Sequence, residues 1–507
     1  MAWGNPRLNR GLRSLVSTQS ERVLMIWAIV TLFKTSVVLL ALTYGIAWGA
    51  DLPRPVLQAL KAAGIPQARV GAVVQEVGAP RAAVSVNAAE SMNPASVMKL
   101  VTTYSALELL GPAYRWKTEV YLDGNDVVLK GYGDPKLNYE SFWMLLRNLR
   151  GRGLRDVRGD LVLDRSFFGS VADGRIDDDT FRPYNVTPDA LLVNFKSQRF
   201  TFLPDESAVR VVAEPGLPGL EIVNTLKLVP GNCPEGRAFR DLIQANFQSR
   251  PPRASFTGSY PVLCGEKELN VALYEPQDYV AAMVRQLWGE MGGTWTGKVR
   301  EGVASPSAKL VYVHESEPLA QIVRDINKFS NNVMARQLYL TLAAQIAGPP
   351  ARPENAFKSI RQLLSTKGIK ASELAIENGS GLSRIERASA ATIASVLQAA
   401  WRSPVMPEFV SSLPVVAADG TMRKRLLSER VAGHAHIKTG LLHDARSIAG
   451  YVLDRHGRRH VVVMIVNHPR GPDSQAALDA LLAWVYEGST SPALPTGRPS
   501  GGAPRRP

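Results

Sequence analysis

The stretch Pro94-Ala95-Ser96-Val97-Met98-Lys99-Leu100 decides how the rest of the chain is interpreted. Ser96 and Lys99 are three residues apart at the predicted start of a helix that ends near Leu110, so their side chains share one helix face. A serine hydroxyl is a weak nucleophile until a base accepts its proton, and a lysine with a lowered pKa can be that base. The pair alone is weak evidence, because a capping serine followed by a solvated lysine has the same spacing.

A second motif is Ser330-Asn331-Asn332, which opens a predicted helix. Ser330 is a candidate to relay a proton to a departing amine. Asn332 is a candidate to hydrogen-bond both the catalytic lysine and an amide of the substrate. The alternative interpretation is an ordinary helix N-cap, a position that Ser and Asn favour.

The third motif is Lys438-Thr439-Gly440-Leu441, on a predicted strand. The charge of Lys438 and the hydroxyl of Thr439 suit the terminal carboxylate of a peptide. Gly440 is expected to let a substrate backbone approach closely. The N–H groups of Leu441 and Ser96 are candidates for an oxyanion hole. An edge strand that carries a lysine is the alternative for this motif alone, but the three motifs in this order predict an enzyme that acylates a serine.

Composition is that of a globular protein of two or three domains, with 507 residues, 45% hydrophobic and 21% charged. The net charge is +14. We expect no nucleic-acid partner, because the chain has neither a base-stacking motif nor a dense basic run. An anionic cell-wall polymer or association with a membrane surface suits the charge better.

Residues 1–50 are predicted to be an export signal. Positive charges end at Lys34, an apolar run follows from Val37 to Ile46, and small residues precede a cleavage site after Gly49. This predicts a periplasmic protein. Because Val23–Phe33 is also apolar, an uncleaved anchor in the inner membrane is the alternative. The Pro-, Gly- and Ser-rich tail 488–507 is predicted to be disordered.

The two cysteines, Cys233 and Cys264, are predicted to form a disulfide in an exported protein; two buried free thiols are the alternative. His434 and His436 alternate on a predicted strand without a third ligand of suitable spacing. We therefore expect neither a metal nor another cofactor.

The order of the predicted elements indicates a split domain. Residues 51–115 contain two predicted strands and then a helix, and residues 306–487 end in the same order. Between them, residues 116–305 contain short strand-like runs separated by Gly, Pro and Asp turns. The pattern predicts a mixed α and β fold that is interrupted by a β-rich insertion.

From about residue 55 to 487, the chain resembles the D-alanyl-D-alanine carboxypeptidase/endopeptidases, the class C low-molecular-mass penicillin-binding proteins of serine peptidase family S13. Besides the three motifs, the resemblance rests on three stretches: Gly131-Tyr132-Gly133-Asp134-Pro135, Asn378-Gly379-Ser380-Gly381-Leu382-Ser383-Arg384 and Asp419-Gly420-Thr421-Met422. It implies a penicillin-recognising, transpeptidase-like domain with a five-stranded antiparallel sheet flanked by helices, interrupted after the Ser-x-x-Lys helix. Asn378 stands where the family usually has Asp.

The resemblance also implies a substrate. Ser96 would attack the bond between two D-alanines of a peptidoglycan stem peptide, or a D-Ala–diamino acid crosslink, and penicillins would acylate it. Asp179 and Tyr184 would meet Arg384 and His443 around the diamino acid side chain. A β-lactamase remains an alternative, although the long insertion favours a polymer substrate. The second alternative is a non-catalytic wall-binding protein with the same fold. The complete set of polar motif residues argues against it.

Overall fold

A computed structural model describes residues 51–171, 176–177, 179–234 and 238–488 of the chain. The predicted export signal lies outside these residues, and so does the predicted tail apart from Gly488. All described residues belong to the unit Asp51–Pro507. Within them, no helix is both long and apolar enough to cross a bilayer.

The first part of the chain supplies two strands and the helix that follows the first motif. Its elements are α1 Arg54–Ala62, β1 Val70–Glu76, β2 Val84–Val86 and α2 Lys99–Leu110.

The middle part supplies most of the strands. Its elements are β3 Lys117–Asp123, β4 Asp126–Gly131, α3 Tyr139–Gly151, β5 Asp156–Val157, β6 Leu161–Asp164, β7 Gln198–Pro204, β8 Val209–Glu214, β9 Glu221–Val229, α4 Ala238–Leu242, β10 Ile243–Ser249, β11 Pro252–Pro261, β12 Lys267–Val271, α5 Pro276–Glu290, β13 Thr294–Trp295, β14 Val299–Glu301 and β15 Lys309–Glu315.

The last part returns to helices and ends with three strands and a helix. Its elements are α6 Leu319–Phe329, α7 Asn332–Ala347, α8 Pro353–Thr366, α9 Ala390–Trp401, α10 Met406–Ser412, β16 Ala435–Leu441, β17 Ala445–Leu453, β18 Arg459–Asn467 and α11 Gln475–Tyr486.

The main sheet joins the two ends of the chain in the order β16-β17-β18-β1-β2, and every neighbouring pair is antiparallel. The residues of β18 from His460 to Val466 are all buried, because this central strand is covered on both faces. The helices α1 and α11 pack on one face, for example through Val56 and Leu481. The prediction of a five-stranded antiparallel sheet flanked by helices is thus confirmed.

The other face of the sheet meets the helices that carry the first two motifs. Leu100 of α2, Leu338 of α7 and Ile393 of α9 share one hydrophobic core with Ile465 of β18. Residues Lys99 to Leu107 of α2 are all buried. A helix that is buried on every side holds its residues rigidly, and this one places Lys99 in the interior.

The insertion ends later than the sequence indicates. Strand β15 begins beyond the predicted boundary at residue 305, yet it pairs with β3, with Thr118 opposite His314. Together with β14, β6 and β4 these strands form a five-stranded sheet in the order β14-β6-β4-β3-β15. By strand pairing the insertion therefore extends to Glu315.

The insertion also contains helices where the sequence patterns were interpreted as strands alone. Helix α3 starts at the N-cap Asn138, whose side-chain oxygen accepts a hydrogen bond from the Ser141 N–H at 3.0 Å. Helix α5 shares the core of the insertion with α3 through residues such as Met283 and Leu145. Two three-stranded sheets, β12-β7-β8 and β10-β11-β9, and the two-stranded sheet β13-β5 complete the insertion.

A disulfide joins Cys233 to Cys264, with Cα atoms 4.5 Å apart. Both residues lie in the insertion, Cys233 after β9 and Cys264 after β11. The bond connects two loops that follow neighbouring strands, since β9 and β11 are paired in parallel.

Candidate active site

Ser96 lies on a short 3-10 turn, Ala95–Met98, one turn before α2 begins. We expected it at the first turn of the α-helix itself. The turn is held by its neighbours: the Asn93 side chain accepts a hydrogen bond from the Ala95 N–H at 2.9 Å, and the Ser447 hydroxyl donates to the Pro94 carbonyl at 2.6 Å. Ala95 has φ +48°, so this turn is fixed in a left-handed conformation directly before the candidate nucleophile.

Lys99 is fully buried and has three polar partners. Its Nζ lies 2.9 Å from Ser96 Oγ, 2.5 Å from Asn332 Oδ1, and within hydrogen-bonding distance of the Ser380 carbonyl. A neutral amine has two N–H groups and one lone pair. The amide oxygen and the carbonyl can only accept, so they match the two N–H groups, and the lone pair is left for the Ser96 hydroxyl.

The electrostatic surroundings favour that neutral form. Burial lowers the pKa of Lys99 well below its usual value, and the charge of Lys438 lowers it further. The carboxyl group of Glu386 opposes this shift. The lowered pKa favours the form of Lys99 that can accept a proton.

Ser330 and Asn332 are positioned by the tight connection between α6 and α7. Ser330 ends α6 with φ +56°, and Asn331 caps α7 by accepting the Met334 N–H at 3.0 Å. Asn332, the first residue of α7, reaches Lys99. The capping role that was the alternative interpretation of this motif is thus filled by Asn331, which leaves Ser330 and Asn332 for the site.

Lys438 links the third motif to the second. It is fully buried on β16 and donates to Ser330 Oγ at 2.8 Å and to the Thr439 carbonyl at 2.7 Å. Burial lowers the pKa of Lys438 to about 7. Its charge at neutral pH is therefore partial, in contrast to the permanent positive charge that we expected from the sequence.

The remaining residues of the third motif lie at the end of the edge strand β16. The Thr439 hydroxyl donates to the Thr421 hydroxyl at 2.8 Å, and the Leu441 side chain is 55% exposed. A Cβ on Gly440 would lie 2.3 Å from Ser447 Oγ and 2.8 Å from the Pro94 carbonyl. The packing of β16 against the turn before Ser96 is therefore one reason for glycine here, and the approach of a substrate backbone stays a prediction.

Glu386 organises the site, and the sequence analysis missed it. Its buried carboxylate accepts backbone N–H groups from four residues, at 3.1, 2.9, 2.8 and 2.8 Å: Glu377, Asn378, Gly379 and Gly381. These bonds hold the loop that presents the Ser380 carbonyl to Lys99. The loop sequence was singled out by the resemblance, but its buried acid lies five residues beyond Gly381 and no local pattern marks it.

Asn378 is compatible with its place in this loop. Its Oδ1 accepts the Ser380 N–H at 3.0 Å and the Ser380 hydroxyl at 2.6 Å. Its Nδ2 donates to the Leu382 carbonyl at 3.1 Å, a bond that an ionised Asp has no donor to make. The amide thus adds a contact and removes a charge from the vicinity of Lys99.

The predicted side-chain pocket is only partly brought together. Arg384 donates to the Ile176 carbonyl at 3.2 Å, so the main domain does meet the acidic segment of the insertion. Tyr184, however, donates to Asp177 at 2.7 Å, and Asp179 is paired with Arg182.

His443 lies apart from this group in its contacts. It is 80% exposed, and its ion-pair partner within the described part of the chain is the adjacent Asp444, at 3.2 Å.

The hydrogen bonds of Tyr184 and Asn185 lower the pKa of Asp177, although burial alone would raise it. Asp177 is thus the acid that accepts the hydrogen bond of Tyr184.

A cleft of about 980 Å³ connects the second motif to the insertion. Its lining includes Ser330 and Asn332 of the second motif and Arg182, Tyr184 and Phe195 of the insertion. A cleft of this size accommodates an extended peptide. Among the described residues, no group of three or more His, Cys, Asp or Glu side chains is arranged to hold a metal ion.

Comparison with known proteins agrees with the geometry. The model of the D-Ala-D-Ala carboxypeptidase 3 (S13) family matches residues 55–485. A D-alanyl-D-alanine carboxypeptidase of Actinomadura sp. is 27% identical over 439 residues, which cover 82% of this chain and 81% of the relative. The D-alanyl-D-alanine carboxypeptidase DacB of Haemophilus influenzae is 25% identical over 422 residues, 78% of this chain and 85% of the relative.

Solved structures show the same fold. The crystal structure of penicillin binding protein 4 from Haemophilus influenzae superposes with a TM-score of 0.70 at 21% identity, covering 86% of this chain and 99% of that chain. A second crystal structure of that protein, in complex with a β-lactam, superposes with a TM-score of 0.67.

Proposed function

This chain belongs to the D-Ala-D-Ala carboxypeptidase 3 (S13) family, and on that premise we propose that it hydrolyses the bond between the two D-alanines of peptidoglycan stem peptides through an acyl-enzyme on Ser96. The observation that carries the proposal is the contact of Lys99 Nζ with Ser96 Oγ at 2.9 Å, in buried surroundings that lower the pKa of Lys99.

Acylation begins with transfer of the Ser96 proton to Lys99 while Oγ attacks the carbonyl carbon of the penultimate D-alanine. The tetrahedral intermediate places its oxyanion at the backbone N–H groups of Ser96 and Leu441. The C–N bond then breaks, and the departing nitrogen receives a proton. Ser330, whose hydroxyl is oriented by the hydrogen bond from Lys438, would pass its proton to this nitrogen and recover one from Lys99, so that Lys99 is neutral again before deacylation.

Deacylation uses water in place of the departed amine. A water molecule attacks the ester carbon, Lys99 accepts its proton, and Ser96 leaves with a proton restored to Oγ. A β-lactam amide is attacked in the same way, but its leaving nitrogen stays attached to the acyl group. Penicillins are therefore expected to acylate Ser96 covalently.

Substrate recognition is assigned to the third motif and to the cleft. Lys438 and Thr439 would bind the terminal carboxylate. The free amine of a stem-peptide diamino acid would meet Asp177, and Arg384 would bind its carboxylate. Support comes from the contact of Arg384 with Ile176 and from the hydrogen bond of Tyr184 to Asp177. The same cleft has room for the second strand of a crosslinked peptide, which would make the enzyme an endopeptidase as well.

The site of action follows from the substrate. Stem peptides lie outside the cytoplasmic membrane, and residues 1–50 have the pattern of an export signal. We therefore place the enzyme in the periplasm.

The test is digestion of purified muropeptides, with mass spectrometry of the products. We expect loss of one D-alanine from pentapeptides, cleavage of crosslinked dimers, and no product from the Ser96→Ala protein. Turnover of a chromogenic cephalosporin without cleavage of any muropeptide would instead identify a β-lactamase.

The acid of the side-chain pocket can be assigned with a matched pair of variants. Asp177→Asn should raise KM for a peptide with a free diamino acid side chain, and should leave its Nε-acetylated form unaffected. Asp179→Asn, two residues away and paired with Arg182, should have the smaller effect. A larger effect for Asp179→Asn would restore the original sequence-based assignment.

A further inference from the structure

The segment Asp419-Gly420-Thr421-Met422 belongs to none of the three motifs, yet it contacts the site. Thr421 lies on the short 3-10 turn Gly420–Met422, and its hydroxyl oxygen is 2.8 Å from that of Thr439. Thr421 is exposed. Among the described residues, Thr439 is the one hydrogen-bond partner of its hydroxyl.

Residues other than Thr421 hold the segment in place. Asp419 accepts hydrogen bonds from Lys328 Nζ at 2.6 Å and from the Val415 N–H at 2.8 Å. Gly420 has φ +54°, and a Cβ there would lie 2.5 Å from the Lys328 carbonyl. Met422 is fully buried. The hydroxyl of Thr421 is therefore not needed to fold the turn.

The turn and Ser330 share one support. Lys328, which fixes Asp419, is 4% exposed and lies two residues before Ser330 at the end of α6. The end of α6 thus sets the position of the Thr421 hydroxyl relative to Ser330, Lys438 and Thr439. The hydroxyl groups of Thr421 and Thr439 thus lie next to Lys438, the lysine that would bind the carboxylate of the substrate.

We propose that Thr421 is a positioning residue that turns the Thr439 hydroxyl toward the carboxylate of the substrate. In the free enzyme Thr439 donates to Thr421. A carboxylate can only accept, so on binding Thr439 must donate to it instead. Thr421 can then donate to the oxygen of Thr439, and neither hydroxyl loses its partner. The inference rests on the proposed function, because it concerns the carboxylate of that substrate.

The experiment compares two acyl donors. A D-alanyl thioglycolate ester has a carboxylate in the position of the terminal D-alanine, and the matching ethyl thioester has none. Thr421→Val keeps the shape and removes the hydroxyl. We expect about a tenfold lower kcat/KM for the thioglycolate, mainly through KM, because without Thr421 the hydrogen bond that Thr439 donates to the carboxylate is lost. The ethyl thioester should change by less than about twofold on the same reasoning.

Two controls and a double variant separate positioning from general damage. Thr421→Ser, which keeps the hydroxyl, should restore the thioglycolate rate. Ser428→Ala removes an exposed hydroxyl from the same connection and should have no effect. In a Thr439→Val background, Thr421→Val should cause no further loss.

Equal losses on both donors, or additive losses in the double variant, would overturn the proposal. If the wild-type protein hydrolyses neither donor, the proposed function fails, and acylation by benzylpenicillin and by its methyl ester then decides the role of Thr421. If Thr421→Val slows acylation by benzylpenicillin but not by its methyl ester, the role is supported. If it slows both acylation reactions equally, the role is refuted.

Discussion

Lys99 Nζ and Asn332 Oδ1 lie 2.5 Å apart, although 233 residues separate them in the chain. The contact joins the helix that follows the candidate nucleophile to the helix that follows Ser330. The contact also leaves the pKa of Lys99 low, because an uncharged amide accepts an N–H of the amine without stabilising the ammonium form as a carboxylate would.

Substituting Asn332 with Asp tests this relationship. A carboxylate beside Lys99 favours the ammonium form and raises the pKa of Lys99, so the acidic limb of the acylation rate should move to higher pH. We expect a shift of about one unit or more for an opposite charge in contact, and at least a tenfold slower reaction at pH 7. The measurement is the pH profile of acylation by a fluorescent penicillin.

Asn331→Asp is the matched control for that experiment. Asp caps a helix as well as Asn does, so the bond to the Met334 N–H and the stability should be retained. Its pH profile should shift less than that of Asn332→Asp. An Asn332→Asp profile that coincides with the wild type would contradict the role of Lys99 as base.

Ser96→Ala should abolish covalent labelling by penicillin while the thermal transition is unchanged. The side chain loses one hydroxyl, and the turn that carries it is held by Asn93 and Ser447. Gel fluorescence after incubation with the labelled drug measures the outcome, with Ser428→Ala as the control that should be labelled fully. Full labelling of Ser96→Ala would rule out Ser96 as the nucleophile.

Glu386→Gln should destabilise the protein and slow acylation. One amide oxygen cannot accept the four N–H groups that the carboxylate binds, and its NH₂ group would face donors. Loss of bonds to a buried charged group predicts about 2–4 kcal/mol less stability. Denaturant unfolding measures this loss of stability. The control is Glu377→Gln, because the Glu377 side chain is exposed. If the unfolding free energy is unchanged, Glu386 does not organise the loop.

Recognition of a carboxylate should weaken as the pH rises through 7. The pKa of Lys438 is lowered to about 7, so the lysine is charged below this pH and neutral above it. We expect the ratio of kcat/KM for the thioglycolate to that for the ethyl thioester to fall with increasing pH, by up to tenfold per unit. In Lys438→Ala the ratio should be low and independent of pH. A ratio that stays constant in the wild type would show that Lys438 does not bind the carboxylate.

Parts of the fold were missed for different physical reasons. Helix α3 could have been predicted, because its buried residues Phe142, Leu145, Leu146 and Leu149 follow the period of an amphipathic helix. The membership of β15 in the insertion could not, because strand pairing with β3 is a contact between residues far apart in sequence. The tight packing around Gly440 could not be predicted either, because Pro94, one of the residues that approach it, is distant in the chain.

The family and the mixed fold could be predicted from the amino-acid sequence, because motif spacing and hydrophobic periodicity are local properties of the chain. The lowered pKa values of Lys99 and Lys438 and the contacts that Glu386 and Thr421 make at the site follow only from the three-dimensional packing. Desolvation and hydrogen bonding depend on which distant segments pack together, and no short stretch of sequence encodes them.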